Sequence, residues 1–237
     1  MYHSRCFGLR LSYFGVIASL AIVTLPPTIH AQVIAYRVTA GTVGNQDAFG
    51  SALGMDFNVI TPIVVTGLGV FDSGSNGLAH FLTAQIYNRD TQAPVTPLIT
   101  FAAGSGAGSG TLIDGSRFLD ITALTLLAGF HGSIVASHWD SAEPNYNSFG
   151  VPNTTATTDT GGGAISFAAT GRFSGGPPDV FPTFIDNGPA NRYDAGTFTF
   201  TPVPEPSGLA LAGIGATYLL ALRRRRNRAN APDRGVT

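Results

Sequence analysis

Hydrophobic positions in the middle of this 237-residue chain fall in short runs separated by turn residues, and helical patterning is scarce. Such runs read as strands. Residues 33–39 (VIAYRVT), 63–71 (IVVTGLGVF), 81–88 (FLTAQIYN) and 95–102 are rich in β-branched and aromatic residues, as strands are. Residues 118–127 (FLDITALTLL) read as a strand and its connection. Residues 131–139 (HGSIVASHW) alternate, with Ile134, Ala136 and His138 on one face. Residues 164–169, 181–185 and 197–201 complete about nine predicted strands. Between them stand turn sequences such as Asp72-Ser73-Gly74-Ser75-Asn76-Gly77, Gln92-Ala93-Pro94 and Pro177-Pro178. Amphipathic helix pattern is scarce, so the crossover helices of a parallel sheet are missing. No fixed-period repeat argues for a solenoid or propeller. The pattern predicts an all-β chain folded as an antiparallel β-sandwich or jelly roll.

The two ends break this pattern. Residues 1–31 carry a basic start at Arg5 and Arg10, an apolar run over 11–25, Pro26-Pro27, and a small residue, Ala31, before Gln32. That is the layout of a secretory signal peptide cleaved by signal peptidase. Residues 32–200 form the extracytoplasmic body, and residues 201–237 form a separate segment. In that segment the stiff stretch TPVPEP is followed by an apolar run over 207–222 and by Arg223, Arg224, Arg225 and Arg226. The run predicts a single transmembrane helix over 207–222, with the arginines left on the cytoplasmic side. Its 16 residues span ~24 Å of helix against a hydrocarbon core of about 30 Å. Gly208, Ala212 and Ala216 repeat every fourth residue, a small face suited to close helix contact.

Charge and cysteine narrow the chemistry of the body. The only cysteine, Cys6, lies in the leader, so the body has no disulfide, thiol nucleophile or cysteine metal ligand. All 13 basic residues are arginine. Five of them face twelve acids between the terminal segments, a net charge near −7. An acidic body lacks the basic footprint of nucleic-acid binding. The glycine-serine run at 104–110 (GSGAGSG) is not a phosphate loop, because a Walker loop needs a lysine and the chain has none. It reads as a flexible connection.

Two places in the body carry candidate chemistry. Residues 72–77 set oxygen ligands at alternate positions, as calcium loops do. Position 83 is a threonine rather than a closing glutamate, and strands rather than helices flank the loop. A polar hairpin turn is the competing reading, and no other cofactor is expected. The densest polar cluster is His138, Trp139, Asp140, Glu143 and Tyr146. Trp139 and Tyr146 are of the type that stacks on sugar rings. The imidazole and two carboxylates are of the type that does acid–base work. Against this, the cluster lies in a strand-end loop closed by Pro144, where exposed polar residues are the rule.

Val203-Pro204-Glu205-Pro206, the glycine-bearing apolar run and Arg223 to Arg226 closely resemble the PEP-CTERM sorting domain. The family motif falls on Pro204, Glu205 and Pro206, and about nine residues after Arg228 are the sole departure. The resemblance covers roughly an eighth of the chain. It implies export, processing by an exosortase (a membrane cysteine transpeptidase), and association with exopolysaccharide and biofilm. Three readings of the body follow. The first is a non-enzymatic cell-surface or extracellular β-sandwich, transiently held in the membrane and associated with extracellular polysaccharide. The second is a carbohydrate- or calcium-binding surface module using His138, Trp139, Asp140, Glu143 and Tyr146. The third is a glycoside hydrolase using Asp140 and Glu143.

Overall fold

The structure, a computed structural model, describes residues 31–46, 51–189, 191–203 and 208–229. The signal segment at 1–30 and the motif residues Pro204, Glu205 and Pro206 lie outside the described residues. In chain order the strands are β1 (Val33–Ile34), β2 (Tyr36–Val38), β3 (Leu53–Val59), β4 (Ile63–Phe71), β5 (Leu82–Asn88), β6 (Ile99–Phe101), β7 (Thr111–Ile113), β8 (Ser116–Leu126), β9 (His131–Ser137), β10 (Tyr146–Asn147), β11 (Ala156–Thr158), β12 (Ile165–Phe173), β13 (Phe184–Asp186), β14 (Tyr193–Asp194) and β15 (Gly196–Pro202). One helix follows, α1 (Gly208–Ala229).

Two antiparallel sheets make the body. One has five strands in the order β1-β15-β4-β8-β7, and the other has six in the order β13-β12-β3-β9-β5-β6. Two small pairs, β10-β14 and β11-β2, are also antiparallel. The sheets share one apolar core. Ile63, Val65, Leu68, Val70, Phe198 and Phe200 come from the five-stranded sheet, and Leu53, Met55, Phe57, Ala84, Ile86, Ile134 and Ala136 from the six-stranded one. Phe57 and Phe198 meet across the interface with ring centroids 4.7 Å apart. Gly132 stands opposite Phe57 on β9, and any side chain there would collide with the Phe57 ring. The chain is therefore mostly β and antiparallel, as its short apolar runs and turn residues predict.

Several boundaries move. The predicted strand over 33–39 breaks at Ala35. β1 pairs with β15, and the chain then crosses to pair β2 with β11. Ala35 carries the crossing, its N–H bonded to Phe198 O and its C=O to Asp159 N–H. β3 is a central strand absent from the predicted set. It pairs with both β9 and β12. The expected strand over 95–102 shrinks to β6.

The apolar run does not end its helix at Leu222. α1 continues through Arg223, Arg224, Arg225 and Arg226, all exposed, to Ala229. No helix among the described residues is long and apolar enough to cross a membrane.

The strand pairing sorts the loops to two ends. Antiparallel pairing puts the start of β4, the end of β8, the end of β15 and the β3–β4 turn at one end. The loops at 72–81 and 138–145 follow the other ends of β4 and β9 and lie at the opposite end. Nine residues of β4 separate the two ends by ~27 Å at about 3.4 Å per residue.

Candidate functional site

The distal end, away from the chain exit, is organised by two buried acids. Asp72 directly follows β4 and is fully buried. Its carboxylate accepts the N–H groups of Asn76 (3.2 Å) and Gly77 (3.0 Å) and the Arg117 Nε–H at 2.6 Å. Arg117, on β8, is buried as well. A buried carboxylate needs such donors, because losing water without replacing it costs several kcal/mol. The loop at 72–77 thus folds around its own acid, with Gly74 at φ 79° and Gly77 at φ 108° making the turn. The calcium reading of this loop meets a carboxylate already neutralised by an internal guanidinium. Among the described residues no three His, Asp or Glu side chains converge as metal ligands.

Glu143 is the second acid. Its Oε1 accepts the Ser73 N–H at 2.8 Å and its Oε2 accepts the Ala79 N–H at 2.7 Å. It therefore clamps both ends of the 73–79 loop. Burial pushes its carboxyl above the usual range, helped by the Asp72 charge and opposed by the two N–H bonds. Above it opens a cleft of about 540 Å³, lined by Val43, Asn76, Ala79, Ser141, Glu143 and Pro144 among others. At its rim, Asp140 Oδ1 lies 2.9 Å from His80 Nε2. The two groups form an ion pair when the imidazole is protonated. Burial disfavours the charged imidazole of His80, but the Phe81 carbonyl and Asp140 outweigh it and raise the pKa. Burial likewise opposes charge on Asp140. The Glu143 and Ala142 N–H groups and His80 outweigh it and hold the carboxyl low.

The five residues of the predicted cluster are not brought together. His138, at φ 81°, turns away and puts Nε2 3.0 Å from Asp179 Oδ2. Asp179 also accepts the Thr83 hydroxyl (2.5 Å), and its C=O accepts the Tyr87 hydroxyl (3.0 Å). It thereby ties the 174–183 segment to the six-stranded sheet. Trp139 is fully buried and packs against Phe71 at 6.4 Å between centroids. Its ring shows no face to solvent, which corrects its expected role as a sugar platform. Core packing claimed the largest apolar side chain in the loop. Tyr146 is half-buried on β10, opposite Asp194. Asp140 and Glu143, the hydrolase pair, serve the backbone: Asp140 Oδ1 accepts Ala142 N–H (2.7 Å) and Glu143 N–H (3.0 Å).

Other buried polar groups escaped the sequence reading because their partners are far apart along the chain. Asp194 is buried and accepts the Tyr36 hydroxyl (2.7 Å), Asn153 Nδ2–H (2.6 Å) and the Thr155 hydroxyl (2.6 Å). Burial raises its carboxyl and these donors pull it back in part. A second groove, of about 710 Å³, runs by the five-stranded sheet between the glycine-serine loop and Gln32, Asp120 and Thr199.

The C-terminal segment begins where the body ends. β15 closes at Pro202, and the Val203 N–H still bonds Pro62 O at 2.8 Å. The motif residues follow immediately, and α1 starts at Gly208. A stretch of 115 residues is 30% identical to part of the zebrafish (Danio rerio) protein UDP-GalNAc:beta-1,3-N-acetylgalactosaminyltransferase 2. It covers 48% of this chain and 22% of that protein, so the chain spans about a fifth of that relative's length. The family model of the PEP-CTERM protein-sorting motif matches residues 202–226, from the last residue of β15 to the fourth arginine of the cluster. The chain thus carries a PEP-CTERM protein-sorting motif, the mark of an exported protein sorted by an exosortase.

Proposed function

We propose that this is a non-enzymatic cell-surface or extracellular protein whose all-β body is cargo for the sorting motif. In this reading residues 1–31 are a signal peptide removed by signal peptidase, and residues 32–200 reach the outside. α1 holds the precursor in the membrane through its apolar part, with Arg223, Arg224, Arg225 and Arg226 on the cytoplasmic side. An exosortase then recognises Pro204, Glu205 and Pro206 and releases the body from the helix, leaving it with the exopolysaccharide of a biofilm matrix. The match of the sorting motif over residues 202–226 carries the reading.

Two physical points support the helix as a temporary hold. Its apolar part, residues 208–222, is ~22 Å long at 1.5 Å per residue, short of a bilayer core, so the arginines must snorkel or the bilayer thin. Its six Leu and Ile residues contribute about −2 to −3.5 kcal/mol on an insertion scale, a weak permanent anchor. In sequence, Glu205 stands between two prolines, and Pro206 disfavours helical backbone at the residue before it. Glu205→Ala is expected to leave export intact and to block maturation, so that the helix stays attached in intact-mass and blot measurements. Normal processing of that variant would reject the reading.

A second reading, a glycan-binding module, draws on the distal cleft. It faces away from the chain exit and offers Asn76, Ser141 and backbone groups as polar contacts. Binding on a glycan array that Asn76→Ala and Ser141→Ala abolish would support it. The hydrolase reading of Asp140 and Glu143 has less support, since both carboxylates are engaged with main-chain N–H groups.

A further inference from the structure

We propose that the exit end of the body, formed by Ile60, Leu127 and Val203, rests on the lipid surface of the membrane until the precursor is processed. This rests on the reading of α1 as membrane-held. Three observations carry it.

The first is placement. Ile60 lies in the β3–β4 turn, Leu127 in the β8–β9 turn, and Val203 just past β15. Ile63 pairs with Leu126, the Val203 N–H bonds Pro62 O, and the Gly129 N–H bonds Val59 O. The three side chains therefore crown one end of the sandwich, around the point where the chain leaves it.

The second is chemistry. Ile60 is 55% exposed, Leu127 67% and Val203 37%. Ala128 is exposed beside them, and Pro62 and Phe130 are half-buried. The two turns, Ile60-Thr61-Pro62 and Leu127-Ala128-Gly129-Phe130, and the exit at Val203 contain no ionisable side chain. The charges of this end stand to the side: Arg89 turns back to Asp56 at 3.3 Å, Asp90 and His131 pair at 3.1 Å on the six-stranded sheet, and Asp159 is exposed after β11. A body with a net charge near −7 that leaves one tip uncharged and aliphatic is built for contact with apolar matter. Lipid fits better than a folded partner, because the tip is a set of separate turn residues rather than a groove. The aromatic and arginine anchors that dominate protein interfaces are absent from the exposed positions of these turns.

The third is reach. Only four residues, 204–207, separate Val203 from the first residue of α1. Five Cα steps of about 3.6 Å allow at most ~18 Å between them, less than the ~27 Å length of the sandwich. The body cannot turn over, so whenever α1 is in the bilayer this end is the one that meets it. The distal cleft is then held outward.

The cysteine-free body permits a direct test. The Glu205→Ala precursor without its leader, residues 32–237, is given a single fluorophore at Ala128→Cys or, at the far end, at Asn76→Cys. It is reconstituted in phosphatidylcholine–phosphatidylglycerol vesicles with nitroxide-bearing acyl chains. The label at 128 is expected to be quenched severalfold more than the label at 76. Adding Ile60→Asp and Leu127→Asp, with Trp139 emission unchanged to show that the body is folded, is expected to bring the 128 label down to the level at 76. Equal quenching of both labels in precursor that floats with the vesicles overturns the inference while leaving the membrane reading of α1 intact. Quenching that arises only when an exosortase is reconstituted alongside also overturns it, placing the tip on the enzyme. Precursor that does not float with the vesicles rejects the membrane reading itself, and this inference with it.

Discussion

Asp72 and Arg117 form a buried ion pair, with 2.6 Å between Oδ2 and Nε, at the point where β4 turns into the distal loop. Neither residue has meaningful solvent contact, and the same carboxylate holds the Asn76 and Gly77 N–H groups. Removing the guanidinium leaves a buried charge with only two main-chain donors. Arg117→Met is expected to lower the unfolding free energy by about 3–5 kcal/mol, read from urea denaturation followed by Trp139 fluorescence. Calcium is expected to leave the wild-type melting temperature unchanged, since the acid of the loop is already paired. A calcium-dependent rise in melting temperature would return the 72–77 loop to the cation-binding reading.

Trp139 is the only tryptophan of the chain, and it is fully buried against Phe71. Its emission should be blue-shifted in the folded body and move to the red on unfolding. Trp139→Ala removes a large core side chain and is expected to cost about 3–5 kcal/mol of stability. Any glycan affinity of the folded body should survive it at a temperature where the variant remains folded. Loss of affinity with stability unchanged would show that the ring reaches a ligand after all.

The β-branched and aromatic runs are legible as strands where apolar residues dominate them. β4 has the predicted bounds, because Ile63, Val65, Leu68 and Val70 leave little doubt about the buried face. β3 escaped because Asp56 and Asn58 interrupt it, although Leu53, Met55, Phe57 and Val59 alternate as a strand should. Those polar residues lie under Arg172 and Arg89: Arg172 Nε sits 2.7 Å from Asp56, and Arg89 bonds both Asp56 and Asn58. Arg172 is 116 residues away in sequence, so the neutralisation exists only once β12 pairs with β3. The candidate cluster failed for the opposite reason. Proximity in sequence is not proximity of side chains here, because β9 ends at Ser137 and His138 enters a left-handed turn. The side chains beyond it leave in different directions. The sorting segment was legible because its information lies in linear order rather than in folded contacts.

Asp194 and Glu143 give the body a definite pH response. Burial raises both carboxyls above their ordinary values. In the folded state each therefore holds a proton at pH values where the unfolded chain has released it. Stability contributed in this way is present below the unfolded values, about 3.9 for Asp and 4.3 for Glu, and is lost as pH rises through the raised folded values. Chemical denaturation across that window is expected to show unfolding free energy falling with pH, and Asp194→Asn should make the fall shallower. A slope unchanged in Asp194→Asn would show that its donors, Tyr36, Asn153 and Thr155, fully offset its burial.

His80 acts in a separate and higher window. Its raised pKa means that the folded state, with Asp140 and the Phe81 carbonyl beside the ring, favours the imidazolium. That stabilisation is fully present below about pH 6.5, the unfolded value, and disappears as pH rises through the folded one. His80→Gln should therefore be less stable than wild type near pH 5.5 and equal to it near pH 8.5. The effect is small, because both partners are partly solvated and salt screens them. Asp140 supplies a control of opposite sign. Its lowered carboxyl stabilises the fold at neutral pH and ceases to do so as pH falls through its folded value. In an Asp140→Asn background the cost of His80→Gln at pH 5.5 should shrink, with the part due to the Phe81 carbonyl remaining. If His80→Gln loses the same stability at both pH values, the ring is a packing element at the cleft rim and its ion pair contributes nothing.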